Sequence, residues 1–188
     1  MPSNKAQARI DRDNGSVEKN IDALKANIEA ATADPSSLRN AYHQAVSEKP
    51  EEILAGLRTH FPKATNIPES TDALLEELGT TAAEYDEMRT SYWIAQAQKR
   101  HEALISTATS GDMYSFYYDR LIESVAPLEC ETLPDLLEKI GADPEGKDII
   151  ATATEQNQFY GPSMERYIAT LNDVLNAGIE VEEDCILD

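Results

Sequence analysis

The chain is poor in cysteine. It has two, Cys130 and Cys185, in no metal-binding spacing, which removes a zinc or disulfide framework and points to a reducing compartment or to indifference about redox. It also lacks any run approaching the ~20 apolar residues of a membrane span. The opening residues MPSNKAQARIDRDNGS contain no apolar core, so no secretory signal is read there. The expected location is therefore cytoplasmic, or otherwise intracellular or within a virion, with no membrane partner.

Basic residues are scarce as well. Lys and Arg number 16 against 35 Asp and Glu, a net charge of -19. Such a surface repels nucleic acid and anionic membrane and attracts a basic protein. Solubility alone is the competing explanation of the charge. The first twenty residues are the exception, with Lys5, Arg9, Arg12 and Lys19.

Several chemistries are missing too. There is no Gly-x-Ser-x-Gly and no His-Glu-x-x-His. The three histidines, His43, His60 and His101, lie far apart in sequence. Cys130 has no evident base near it in sequence. Acidic pairs occur throughout, so none stands out as a general acid and base. GADPEGKD, 141–148, is one residue short of a phosphate-binding loop. The hydroxyl position is Asp148, Asp143 and Glu145 would repel phosphate, and the preceding DLLEKI reads as helix, whereas that loop needs a strand feeding it. The stretch reads instead as Gly141 closing one helix and Asp143-Pro144 opening the next. The terminal Cys-Ile-Leu-Asp imitates a prenylation box, but its last residue and the acidic residues upstream do not suit one. No cofactor and no metal are expected, and an enzyme is the less favoured class.

What is present is helix periodicity. Val17, Ile21, Leu24 and Ile28 repeat at the spacing of one helix face. Pro50 begins a helix carrying Ile53, Leu54, Leu57 and Phe61, and Pro62 ends it. TDALLEELG closes on Gly79, and Thr81 with Glu84 forms a capping box that opens the longest helix, about 82–109. That helix carries two apolar seams. Tyr85, Met88, Tyr92 and Ala95 form the first. Ile94, Ala97, His101, Leu104 and Ala108 form the second, rotated by about 100° because it starts one residue early. Its two halves should face different neighbours. MYSFYYDRLIESV is apolar nearly all round, the pattern of a buried central helix.

The segment ESTDALLEELG is echoed by ETLPDLLEKIG. A helix-turn-helix duplication and a shared way of ending a short amphipathic helix both fit. Two copies are fewer than a solenoid normally needs, which favours the second. The fold expected is all-α, a single compact bundle of seven to eight helices spanning 16–178, with a flexible arm at 1–15 and an acidic tail at 179–188.

The expected function is that of a non-enzymatic acidic module that engages a basic protein partner. A DNA-mimicking inhibitor of a nucleic-acid-binding protein is its sharpest form. Glu69, Asp72, Glu76, Glu77, Glu84, Asp86 and Glu87 make the first candidate surface, because no Lys or Arg interrupts them. Glu180, Glu182, Glu183 and Asp184 in the tail make the second. Tyr114 and Tyr118 are candidates for an aromatic interface, since tyrosine is enriched at binding hot spots. Two alternatives stand beside this: a structural or assembly subunit, for example of a viral particle, with homo-oligomer contacts, and an enzyme whose site is assembled from scattered residues.

Overall fold

The computed structural model describes residues 4–34, 36, 38, 44–106 and 111–152. Among them are seven α-helices and no strand: α1 (Asn4–Ala33), α2 (Gln44–Ser47), α3 (Pro50–His60), α4 (Thr71–Leu78), α5 (Ala82–Ser106), α6 (Gly111–Ile122) and α7 (Leu133–Lys139). A further helical stretch occupies 147–152. The expectation of an all-α bundle of about seven helices holds. By contacts the chain divides into two compact units, Met1–Tyr92 and Trp93–Asp188, each described with its own core.

In the first unit, α1 buries Val17, Ile21, Leu24 and Ile28, the face its periodicity marks. α3 contributes Ile53, Leu54 and Leu57, α4 contributes Leu74, Leu75 and Leu78, and α5 contributes Tyr85. α1 begins at Asn4, so residues 4–15 are helix and not a flexible arm. The reason lies outside hydrophobic periodicity. Asp13 is buried, and its carboxylate accepts from the backbone N–H of Lys63 at 3.2 Å. Asn14 Oδ1 accepts from the Thr65 N–H at 2.8 Å, and Asn66 donates to the Asn14 carbonyl at 3.2 Å. Polar side chains on the early turns of α1 thus hold the loop after α3.

In the second unit, Leu121, Leu133, Leu136, Leu137 and Ile149 are fully buried around Ala97 and Leu104 of α5. Each such leucine contributes about 2 kcal/mol of transfer free energy. The two seams of α5 therefore serve different cores: Tyr85 and Met88 pack in the first, and Trp93, Ile94, Ala97 and Leu104 in the second.

The sequence echo extends to backbone geometry. Ser70 caps α4 by accepting from the Ala73 N–H at 3.2 Å, and Thr132 caps α7 by accepting from the Asp135 N–H at 3.3 Å. At the other end, Gly79 (φ +75°) donates to Glu76 and Thr80 to Leu75; Gly141 (φ +78°) donates to Glu138 and Ala142 to Leu137. These are the paired bonds of a left-handed helix stop, the conformation that favours glycine. Beyond Gly141 the chain departs from the expected helix start at Asp143-Pro144. Asp143 accepts from the Glu145 N–H at 3.0 Å, and Gly146 donates to the Asp143 carbonyl at 2.8 Å. That turn delays the helix to 147. Lys147 pairs with Glu145 beside that turn. Asp112 lies inside the first turn of α6.

Candidate functional site

The acidic candidates divide between described and undescribed residues. Glu69, Asp72, Glu76, Glu77, Glu84, Asp86 and Glu87 are all exposed and all belong to the first unit. α4 buries Leu74, Leu75 and Leu78, which turns Asp72 and Glu76, one helical turn apart, to solvent together. Glu84 has a second task. Its carboxylate accepts from the Thr81 N–H and hydroxyl, both at 3.0 Å, closing the capping box. Those two bonds hold its pKa below the ordinary glutamate value. The tail residues Glu180, Glu182, Glu183 and Asp184 lie outside the described residues.

The surface is less free of cations than its sequence implies. Arg58 of α3 donates to the Glu69 carbonyl at 3.1 Å, and the buried Arg89 lies 3.8 Å from Asp86. The first cation arrives through folding and the second sits just past the acidic run.

The aromatic candidates resolve differently. Tyr118 is 6% exposed and packs in the second core, where burial, and then the neighbouring Asp119, push its hydroxyl pKa up to about 12. It is a core residue of the second unit. The Tyr114 side chain lies outside the described residues. The exposed aromatic on α6 is Phe116, at 47%, with the Arg120 guanidinium 5.3 Å from its ring centre.

A concave site also lies in the first unit. α1 and α3 flank a cleft of about 560 Å³. Leu24, Leu57 and Phe61 give it apolar lining, and Glu48, Glu52, His60 and Gly56 also line it. Two of these side chains are carboxylates. Tyr85, whose hydroxyl donates to the Glu48 carbonyl at 2.8 Å, has its pKa raised well above the ordinary range. Burial is the main cause; Arg89 opposes it, and Glu48, Glu52 and Glu51 add to it. Sequence reading passed over Gly56. The available signal was a glycine inside an amphipathic helix, PEEILAGLRTH, where it costs about 1 kcal/mol relative to alanine.

The second unit holds two polar clusters. His101, buried in the expected seam of α5, places Nε2 at 2.9 Å from Asp148 Oδ2, an ion-pair separation without the alignment of a good hydrogen bond. Arg100 donates to the Arg120 carbonyl at 2.7 Å and to Ser124 Oγ at 2.9 Å. Cys130 is half-buried, and burial pushes its thiol pKa up, with Lys139 opposing and Asp135 reinforcing; that is the opposite of nucleophile activation. Among the described residues no group of three or more His, Cys, Asp or Glu is placed to hold a metal ion. No helix among them is long and apolar enough to cross a membrane.

Comparison with protein-family models, curated proteins and solved structures finds no match for this chain.

Proposed function

We propose that the protein is a non-enzymatic acidic interaction module that engages a basic protein partner through the first unit. The observation that carries this reading is the set of seven exposed carboxylates on and around α4 and the first turns of α5. An excess of one sign over a surface steers an oppositely charged partner and raises its association rate. A DNA-mimicking inhibitor is the sharpest form of the reading, with carboxylates standing where phosphates would be. The raised thiol pKa of Cys130 speaks against cysteine nucleophilic catalysis, and the loop 141–148 is closed by its own acidic residues.

A second reading, an assembly subunit, draws support from Phe116, an exposed aromatic on the helix that buries Tyr118, Leu121 and Ile122. The two differ in salt response. The test begins with capture of a partner from host extract at low salt, followed by its identification and purification. Binding is then measured across a salt series. Exposed charges further apart than ~8 Å are largely screened at physiological ionic strength, so a charge-steered complex weakens steeply. Neutralising Glu69, Asp72, Glu76 and Glu77 together should slow association by about tenfold or more, whereas one Glu→Gln change should do little, because a single exposed pair contributes only about 0–1 kcal/mol. A flat salt response, with loss of binding in Phe116→Ala, would replace this reading with assembly.

A further inference from the structure

We propose that the cleft between α1 and α3 is a receptor for an arginine side chain carried by the basic partner. The proposal deepens the interaction reading above and relies on it for the source of the arginine.

Residue spacing aligns a position of the second unit with the cleft. The helix that precedes the short capped helix is α3 in the first unit and α6 in the second. The buried series Ile53, Leu54, Leu57 and Leu121, Ile122, Val125 have the same spacing. Aligned on them, Gly56 falls on Ser124 and Glu52 on Arg120. Ile21, Leu24 and Ile28 of α1 have the spacing of Ala97, Arg100 and Leu104 of α5, which sets Leu24 against Arg100. In the second unit the residue at that aligned position is an arginine held by its own chain. The Arg100 guanidinium donates to the Arg120 carbonyl and to Ser124 Oγ, lies 3.7 Å from Glu123, and sits 5.6 Å from the centre of the Trp93 ring. In the first unit the arginine is replaced by Leu24 and the serine by Gly56, and a cleft is left.

What remains around the cleft suits the missing group. Glu48 and Glu52 supply negative charge, the Glu52 carboxylate while also accepting from the Lys49 N–H at 2.6 Å to cap α3, and Phe61 supplies an aromatic face, the role Trp93 has beside Arg100. A guanidinium is planar and weakly hydrated, so it tolerates apolar walls better than an ammonium does. Gly56 is the independent observation. A Cβ built on it meets no atom within 4 Å, so no packing among the described residues requires glycine there. The helix nonetheless forgoes alanine in mid-span, and what glycine provides is room for an incoming group.

The test uses the full chain, with acetyl-arginine amide as probe and acetyl-citrulline amide as its neutral isostere, followed by backbone amide NMR. Arginine should give saturable shifts centred on Leu24, Gly56 and Leu57, and citrulline none. Gly56→Leu, which fills the cleft from a position with open space, should weaken the response by about tenfold or more. Glu48→Gln, a smaller change in the lining, should weaken it several-fold. Equal response to citrulline, no saturable response, or an unaltered response in both variants would overturn the proposal. Because no partner protein enters this measurement, its failure leaves the salt-dependent association intact, and a flat salt response there leaves arginine binding intact.

Discussion

Nε2 of His101 lies 2.9 Å from Oδ2 of Asp148, tying the buried face of α5 to the first turn of the helical stretch at 147–152. The histidine is 8% exposed, so its polar edge needs a counterpart, and the carboxylate is the one the fold supplies. Asp148 also accepts from the Ile149 N–H at 2.8 Å, which orients it. We expect a double-mutant cycle with His101→Gln and Asp148→Asn to give a coupling of about 1 kcal/mol in urea unfolding, the lower end for a charged contact because the aspartate is partly solvated. Strict additivity would mean that the two groups are merely neighbours.

Arg100 should matter more than its place near the surface suggests. It satisfies the carbonyl of Arg120 and the hydroxyl of Ser124, a residue with 0% exposure. Arg100→Ala should destabilise the second unit by about 1–3 kcal/mol, chiefly through the buried hydroxyl left behind. Arg100→Lys should recover less than half of that, because an ammonium cannot serve both acceptors and face Trp93 in the planar geometry of a guanidinium. Thermal unfolding of the three proteins decides it.

Much of this arrangement is legible in the sequence wherever a local rule governs. The glycine stops at Gly79 and Gly141, the Thr81–Glu84 capping box and the change of seam within α5 follow from short-range chemistry, and each appears where the residues place it. The division into two units is implicit in the change of seam within α5, but seam rotation alone does not say that the two faces belong to separate cores. Asp13 and Asn14 escape a periodicity argument because they are polar, and their partners are the backbone groups of a loop far along the chain. Arg58 near Glu69 and Arg100 near Ser124 are likewise products of tertiary packing. Gly56 is visible in sequence, but only the open space beside it gives it meaning.

Glu129 offers a test of backbone strain. It stands at φ +55°, the only non-glycine residue with positive φ among those described. The N–H of Cys130 donates to Val125 and that of Glu129 to Ala126, the same pair of bonds that closes α4 and α7 on glycine. A side chain in this conformation costs roughly 1 kcal/mol or more, and glycine relieves it at some cost in unfolded-chain entropy. Glu129→Gly should therefore raise stability by about 0.5–1 kcal/mol. Glu129→Ala keeps the strain while removing the charge and should not reproduce the gain. Equal stabilisation by both variants would assign the effect to charge.

Glu84 and Asp119 should respond to acid in opposite senses. The pKa of Glu84 is lowered from 4.5 by the Thr81 backbone bond first and the Thr81 hydroxyl second. Its ionised form is thus favoured by folding, and its contribution is present above pH 4.5 and lost as pH falls through the lowered folded value. Asp119 is raised from 3.8, by burial first and the charge of Glu123 second, and its Oδ1 is buried without a hydrogen-bond partner. Folding disfavours its ionised form, so it destabilises at neutral pH and this penalty fades as pH falls through the raised value. Glu84→Gln should accordingly be less stable than the native chain at neutral pH and converge on it in acid. Asp119→Asn should be more stable at neutral pH and also converge on it in acid. Comparing each variant with the native chain at the same pH removes most of the general relief that a chain of net charge -19 gains on protonation. Converging curves that approach the native chain from opposite sides are the expected result. Stabilisation by both substitutions at neutral pH would show that shared repulsion between carboxylates outweighs the local capping bonds of Glu84.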